Sequence, residues 1–260
     1  MIDRLRIRGA LFPVSGSTDE VEGTVPMKRL MLLSNSTNFA GGYLDHAMKE
    51  VLSFLEPAGR VLFVPFAVRD HAAYTERVRQ RFALEGIEIE SLATGAQGAA
   101  AIEEAPAIFV GGGNTFRLLD ALQRTRFLEP IRRRAAGGIP YLGSSAGSVI
   151  AGPTLKTTND MPIVQPQWFE ALGLVPFQIN AHYIDADPVS THMGETREER
   201  IEEYFEENDV PVVGLREGAW LRVDGAKVRV GGSRGARIFR KGRAPVEVPP
   251  GATLDEWLGN

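Results

Sequence analysis

The 260-residue sequence contains no cysteine, which excludes disulfide bonds, zinc–thiolate sites and cysteine nucleophiles. It also lacks an apolar run near the ~18–20 residues that a membrane-spanning helix needs. The N-terminal stretch MIDRLRIRGALFPVSGSTDE has charges among its apolar positions, so it lacks the continuous apolar centre of a signal peptide. A chain without cysteine needs no oxidising compartment. We therefore expect a cytoplasmic protein without a membrane partner.

Basic residues are also too few and too scattered to form a nucleic-acid-binding surface. The chain carries 29 Lys and Arg against 33 Asp and Glu, for a net charge of −4. The only dense basic run, Arg132 to Arg134, is typical of a solvated helix face. No wide basic footprint interleaved with aromatic residues is present, so we expect no nucleic-acid partner.

Short apolar runs alternate with helical patterns along most of the chain. Residues 1–26 are predicted to form an N-terminal arm or extension, and 27–260 a single α/β domain. The alternation predicts a mostly parallel sheet covered by helices on both faces. Short antiparallel hairpin strands are expected over 218–248. The expected strands lie near 29–34, 61–65, 87–92, 107–110, 140–142 and 211–215, and the helices near 43–55, 70–85, 98–104, 115–122, 127–136, 146–152 and 195–207.

The segment Gly143-Ser144-Ser145-Ala146-Gly147 has the spacing of a nucleophile elbow. Its small residues allow a sharp strand-to-helix turn that would lift the Ser145 hydroxyl above the carboxyl edge of the sheet. The Ala146 N–H would then face a developing oxyanion at a helix N-terminus. Ser144 competes as the nucleophile, but only Ser145 has the Gly-x-Ser-x-Gly spacing. This pattern also arises by chance, and the preceding strand and following helix favour the functional interpretation.

A second glycine turn, Gly111-Gly112-Gly113, directly follows the strand at 107–110. It is not a dinucleotide fingerprint, because Phe116 stands where the third glycine would be, and it is not a phosphate-binding P-loop. It lies one strand–helix unit before the elbow. We expect Gly112 or Gly113 to supply the second oxyanion N–H, the alternative being a plain tight turn.

Among the four histidines, His182 fits a catalytic base best, because it follows an apolar stretch at a probable strand end. His46 and His71 are expected at the surface. Two carboxylates could orient the base: Asp160, downstream of the elbow helix, and Glu217, at the end of the strand at 211–215. Either could instead be an ordinary surface carboxylate.

A rival hypothesis uses part of the same region as a metal site. His182, Asp185, Asp187 and His192 have spacing that a divalent cation tolerates. Nothing in the pattern enforces such a site, and it leaves the Gly-x-Ser-x-Gly segment unexplained. We therefore expect neither a metal ion nor a cofactor.

Several motifs in the same order and at the same spacing closely resemble the peptidase E family, serine peptidase family S51, from about Met27 into the 230s. They are GGGNTF (111–116), the elbow, TTNDMP (157–162), INAH (179–182), GETR (194–197) and EG (217–218). The resemblance implies a three-layer αβα sandwich like that of class I glutamine amidotransferases. It also implies hydrolysis of dipeptides with an N-terminal aspartate, and it makes a homodimer an expectation.

Carried over residue by residue, the resemblance assigns Ser145 as the nucleophile and His182 as the base. It points to both carboxylates for the third role: Glu217 matches the position in the triad, and Asp160 matches another essential position that could bind the substrate amino group. Arg197 matches the position that grips the substrate aspartate, which suits the bidentate geometry of a guanidinium, although it could equally form an i,i+4 helix pair. Asn114 and Asn159 are also expected to bind substrate.

One residue departs from the family pattern. Ser144 stands where an aromatic residue is common, and a smaller side chain would open space beside Ser145, which leaves the substrate preference and peptide length open.

Two other functions remain as alternatives to the dipeptidase. One is a cyanophycinase-like enzyme that cleaves β-aspartyl-arginine polymer, and the other is a non-catalytic module that binds a small molecule on the same scaffold.

Overall fold

The computed structural model describes residues 27–56, 58–187, 189, 191 and 193–254. The predicted arm at 1–26 lies outside these residues. The strands are β1 (Arg29–Leu33), β2 (Arg60–Val64), β3 (Glu88–Ser91), β4 (Ile108–Val110), β5 (Tyr141–Ser144), β6 (Gln178–Tyr183), β7 (Val212–Arg216), β8 (Ala219–Asp224), β9 (Lys227–Gly232), β10 (Ala236–Arg240) and β11 (Arg243–Val248). The helices are α1 (Met48–Leu55), α2 (His71–Ala83), α3 (Gly95–Glu104), α4 (Thr115–Thr125), α5 (Leu128–Ala136), α6 (Ala146–Val149) and α7 (Arg197–Glu207).

The main sheet has the strand order β3-β2-β4-β5-β1-β8-β9, and its first five strands are parallel. Side chains alternate between its two faces, since successive residues of a strand point to opposite sides. Leu30 and Leu32 pack with α3, α4 and α5, whereas Met31 and Leu33 pack with α1 and α2. Helices therefore cover both faces, which confirms the predicted three-layer αβα sandwich.

Three of the described helices, α2, α4 and α7, begin at a side-chain cap. The Asp70 side chain accepts the Ala73 N–H at the start of α2, and Asn114 does the same for Arg117 at the start of α4. Thr196 and Glu199 form a reciprocal capping box at the start of α7. In the part of the chain that the structure describes, no helix is both long enough and apolar enough to cross a membrane.

The C-terminal strands divide between two sheets, which the sequence did not predict. Strand β8 pairs antiparallel with β1 and carries β9 as the edge of the main sheet. Strand β7, expected beside the other parallel strands, instead lies in a second sheet of order β11-β10-β7-β6. The reason is that β8 takes the free edge of β1, so β7 pairs with β6 and β10.

Two helices are shorter than expected. Helix α1 begins at Met48 rather than near residue 43, because Leu44 has a φ of 61°, outside the helical region. Helix α6 ends at Val149 rather than near 152. The carbonyls of Ile150, Ala151 and Gly152 accept N–H groups from residues 172–174, so they do not continue the helix.

Candidate active site

Ser145 stands at a strained turn between β5 and α6, with φ 51° and ψ −111°. The glycines on either side have a steric cause. A Cβ on Gly143 would lie 2.6 Å from the Gly147 carbonyl oxygen, and a Cβ on Gly147 would collide with the Val110 carbonyl. The buried Tyr141 hydroxyl also donates to the Gly147 carbonyl at 2.7 Å. The segment thus has the strand–turn–helix geometry that the elbow motif requires.

The Ser145 Oγ lies 2.8 Å from His182 Nε2. His182 is placed there by an irregularity in β6, where the pairing with β7 shifts between Ala181 and Tyr183 and His182 takes a φ of 54°. Such a bulge redirects a side chain out of the regular alternation of a strand. A left-handed conformation at a residue other than glycine is typical of functional positions.

Buried Ser34, at the end of β1, holds the backbone of this bulge. Its Oγ accepts the His182 N–H at 2.9 Å and donates to the Leu215 carbonyl at 2.7 Å. One hydroxyl therefore joins the main sheet to both β6 and β7 at the histidine. The sequence does not single out Ser34, because a serine at the end of a buried strand carries no signal of this role.

Glu217 follows β7, and its Oε1 lies 2.8 Å from His182 Nδ1. The turn after it is fixed by the Gly218 N–H, which donates to the Asn35 Oδ1 at 2.8 Å, and by the positive φ of Gly218. A carboxylate at Nδ1 favours the tautomer with the proton on Nδ1, which leaves Nε2 free to accept from Ser145. Both side chains remain partly in contact with solvent, with 39% of His182 and 56% of Glu217 exposed.

Asp160 forms no hydrogen bond with His182. Its Oδ2 accepts the Thr115 N–H at 2.7 Å and the Thr115 hydroxyl at 2.6 Å, at the positive N-terminal end of α4. The Thr158 hydroxyl donates to the same oxygen at 3.2 Å. Asp160 nevertheless lines the same open cavity, of about 590 Å³, as Ser145 and His182. The two candidate carboxylates thus occupy different places: Glu217 is hydrogen-bonded to the His182 ring, and Asp160 lines the cavity.

The glycine turn at 111–113 lies beside the elbow, because β4 pairs in parallel with β5. A Cβ on Gly112 would come within 3.1 Å of the Ser145 Cβ. The Gly112 N–H donates to the Tyr74 hydroxyl at 2.9 Å, whereas the Gly113 N–H has no acceptor among the described residues. The Ala146 N–H opens α6, where the first N–H groups lack an intrahelical partner. Ala146 and Gly113 therefore offer free donors near Ser145.

Tyr74 contributes to this turn in a way that the sequence did not indicate. Its spacing with Val78 and Phe82 predicts a helix face packed in the core, and its ring does pack edge-on against Phe63. Its hydroxyl, however, reaches Gly112 at the cavity wall and lies 3.3 Å from the Tyr43 hydroxyl. Burial raises the pKa of Tyr74, so the hydroxyl stays protonated and keeps a proton to donate.

The two asparagines expected to bind substrate do not line the Ser145 cavity. Asn114 caps α4, and its Nδ2 donates to the Met161 carbonyl at 2.8 Å. Asn159 donates to the Ala181 carbonyl at 2.7 Å and so ties its loop to β6. In this structure both amides position the segments that carry Asp160 and His182.

Arg197, expected to grip the substrate aspartate, also lies away from that cavity. It begins α7 and lines a second cavity, of about 450 Å³, together with Asp185 and Glu195. Desolvation, and then repulsion from Arg200, lower its pKa. Arg77 of α2 lines the Ser145 cavity instead.

The side chains proposed for the rival metal site are engaged elsewhere. Both ring nitrogens of His182 are occupied, and Asp185 accepts two hydrogen bonds from Arg216, at 2.6 and 2.7 Å. His192 lies outside the described residues. Within the described ranges, no group of three or more His, Cys, Asp or Glu side chains is placed to hold a metal ion.

Ser144 does not contribute to the cavity that Ser145 lines. Ser144 was expected to open space beside Ser145, but its side chain is fully buried, does not line the cavity, and leaves its Oγ without a hydrogen-bond partner in the described structure.

The expectation of a surface position is met by His71 and is wrong for His46. Both ring nitrogens of His46 are buried and have no hydrogen-bond partner among the described residues, and desolvation lowers the pKa of this histidine.

Comparison with known proteins gives a consistent result. The model of "Peptidase family S51" matches residues 30–231. The chain is 56% identical over 229 residues to a Peptidase E of Streptomyces coelicolor, covering 88% of this chain and 94% of that protein. It is 46% identical over 230 residues to a probable alpha-aspartyl dipeptidase of Drosophila melanogaster, covering 87% and 96%.

Solved structures show the same fold. A putative Peptidase E protein from Listeria monocytogenes superposes with a TM-score of 0.59 at 25% identity, covering 79% of this chain and 98% of that one. A peptidase from an acI-B1 Actinobacterium superposes with a TM-score of 0.68 at 19% identity, covering 88% and 97%. The second likeness bears on the fold alone.

Proposed function

The chain belongs to peptidase family S51, and on that premise we propose that this serine-type dipeptidase hydrolyses dipeptides with an N-terminal aspartate through an acyl-enzyme on Ser145. The observation that carries the proposal is the continuous hydrogen-bonded line from Ser145 through His182 to Glu217, with 2.8 Å at each step. Nucleophile, base and orienting carboxylate in this order are the parts that acyl transfer by a serine requires.

In the first half of the reaction, His182 Nε2 takes the proton of the Ser145 hydroxyl as Oγ attacks the carbonyl carbon of the aspartyl residue. The negative charge that develops on the carbonyl oxygen is held by the Ala146 N–H and by an N–H of the glycine turn. Gly113 is the free donor of that turn, and Gly112 could serve only if the Tyr74 hydroxyl released it.

The tetrahedral intermediate then collapses. The peptide C–N bond breaks, and the His182 imidazolium gives its proton to the leaving amine, which departs as the second residue. Glu217 stabilises the charged imidazolium throughout. Water, deprotonated by His182, attacks the ester on Ser145 and releases aspartate with the serine restored.

The position of Asp160 supports a requirement for a free amino terminus. Its carboxylate lies in the cavity wall with one oxygen occupied by Thr115 and Thr158, so that the other oxygen can accept a bond from an ammonium group. The cavity volume of about 590 Å³ falls within the range of small-ligand sites and is sufficient for a dipeptide.

A substrate panel tests the proposal. The protein should release free aspartate from Asp-Leu and should leave β-Asp-Arg and Ala-Leu intact, as measured by chromatography of the products. Hydrolysis of β-Asp-Arg without hydrolysis of Asp-Leu would instead favour the cyanophycinase-like activity. If no substrate were cleaved and Ser145 resisted a serine-directed acylating reagent, the non-catalytic binding module would replace the peptidase.

A further inference from the structure

The cavity at Ser145 contains charges of both signs. Asp160 lines it, and so do Asp70 and Arg77, which both come from the α2 region. Asp70 is partly engaged, because its Oδ1 accepts the Ala73 N–H as the cap of α2. Arg77 is the single Lys or Arg among the described residues that line this cavity.

Arg77 differs from the neighbouring arginines of α2. Arg79 pairs with Glu76 at 2.7 Å, and Arg81 pairs with Glu85 at 2.8 Å. Arg77 forms no hydrogen bond or ion pair with any described residue, although it lies on the same helix. Its guanidinium is therefore available to a ligand, whereas those of its neighbours are already engaged.

Two further observations place Arg77 near the reacting atoms. The cavity that it lines includes Ser145, and one turn earlier on the same helix the Tyr74 hydroxyl reaches the Gly112 N–H beside Ser145. Burial raises the pKa of Tyr74, and the positive charge of Arg77 opposes that rise.

An α-aspartyl dipeptide carries one ammonium group and two carboxylates. Asp160 can take the ammonium, but a carboxylate entering a cavity lined by Asp70 and Asp160 would meet repulsion unless a cation were present. Arg197 does not line this cavity. A guanidinium binds a carboxylate through two parallel hydrogen bonds, which adds geometric selectivity to the charge attraction.

We propose that Arg77 is a specificity-determining residue that binds a carboxylate of the dipeptide in the same cavity that Ser145 and Asp160 line. The inference rests on the proposed function. The carboxylate has two possible sources, the side chain of the N-terminal aspartate and the C-terminus of the dipeptide. Arg77 thereby makes the cavity complementary to an anionic peptide in a protein whose net charge is −4.

The test compares Arg77→Gln and Arg77→Lys with the wild type on Asp-Leu. Hydrogen bonds to charged groups contribute about 1.5–3 kcal/mol, so Arg77→Gln should raise KM about 10- to 150-fold with kcat changed less than about threefold. Arg77→Lys should restore part of the affinity, because it keeps the charge and loses the bidentate geometry. Arg79→Gln, at an exposed position of the same helix outside the cavity, is the matched control and should leave KM unchanged.

Two neutral analogues distinguish the sources of the carboxylate. If Arg77 binds the aspartate side chain, the variant and the wild type should have equal kcat/KM on Asn-Leu. If it binds the C-terminus, they should be equal on Asp-Leu amide. Circular dichroism and thermal unfolding of Arg77→Gln establish that the fold is kept.

Equal KM values for wild type and Arg77→Gln on Asp-Leu would overturn the role of Arg77 while leaving the dipeptidase in place. A rise in KM that Arg79→Gln reproduces would overturn it as well, because it would show a general effect of the charge of α2. A wild-type protein that does not cleave Asp-Leu would overturn the proposed function, and this inference with it.

Discussion

The contact between Glu217 and His182 predicts a defined kinetic effect. Replacing Glu217 with Gln keeps an oxygen that can accept the Nδ1–H bond and removes the negative charge that stabilises the imidazolium. A hydrogen bond to a charged group contributes about 1.5–3 kcal/mol, or about 10- to 150-fold in rate. Because 56% of the Glu217 side chain is exposed, water can replace part of this stabilisation, and the loss should fall near the lower end.

The assay is steady-state kinetics on Asp-Leu at neutral pH. We expect Glu217→Gln to lower kcat about 10- to 30-fold with little change in KM, and Glu217→Ala to lower it further, because the orienting acceptor is also lost. Asp160→Asn serves as the comparison carboxylate. It lies away from His182, in the cavity wall, and should mainly raise KM by weakening the attraction for the substrate ammonium.

The reverse pattern of kinetic effects would refute the assignment of Glu217 as the carboxylate that orients His182. If Asp160→Asn lowered kcat with KM unchanged while Glu217→Gln kept wild-type kcat, then Asp160 would act on the histidine in the working enzyme, and the 2.8 Å contact of Glu217 would have no catalytic part. Thermal unfolding of each variant separates these effects from loss of the fold.

Two further variants test residues that support the site. Ser34→Ala leaves the His182 N–H and the Leu215 carbonyl without their shared hydrogen-bond partner, so it should lower the free energy of unfolding by about 1–3 kcal/mol and reduce kcat. An unchanged urea unfolding curve would contradict the role of Ser34 in holding the strands together. Tyr74→Phe removes the acceptor of the Gly112 N–H and should lower kcat about 2- to 10-fold with KM unchanged. An effect on KM alone would instead mean that Tyr74 binds substrate and does not support the glycine turn at 111–113.

Local motifs explain why much of the candidate site was predictable. The elbow depends on short-range sterics, since Gly143 and Gly147 leave no room for a Cβ, and that demand is visible in the sequence itself. The proximity of the 111–113 turn to Ser145 follows from consecutive parallel strands that end at one sheet edge. The alternation of strands and helices likewise predicted the sandwich.

The remaining features depend on contacts between distant segments. The sequence favours Glu217 over Asp160 only slightly, because the contact of Glu217 with His182 arises from the pairing of β6 with β7 in a second sheet. The positive φ of His182 follows from a bulge in that pairing, and a bulge leaves no periodic signal. The sequence did not indicate Arg77 either, because an exposed arginine on a helix with many charges looks like its solvated neighbours. Only the folded chain shows that this arginine lines the cavity.

The most direct test of the central claim is the rate of Asp-Leu hydrolysis by Ser145→Ala, measured beside Ser144→Ala. Loss of a serine nucleophile typically lowers kcat by about 10⁴- to 10⁶-fold. We predict a loss of this size for Ser145→Ala, with thermal unfolding close to that of the wild type, and near-normal turnover for Ser144→Ala, whose buried hydroxyl does not line the cavity. Wild-type turnover by a folded Ser145→Ala variant would contradict the serine mechanism.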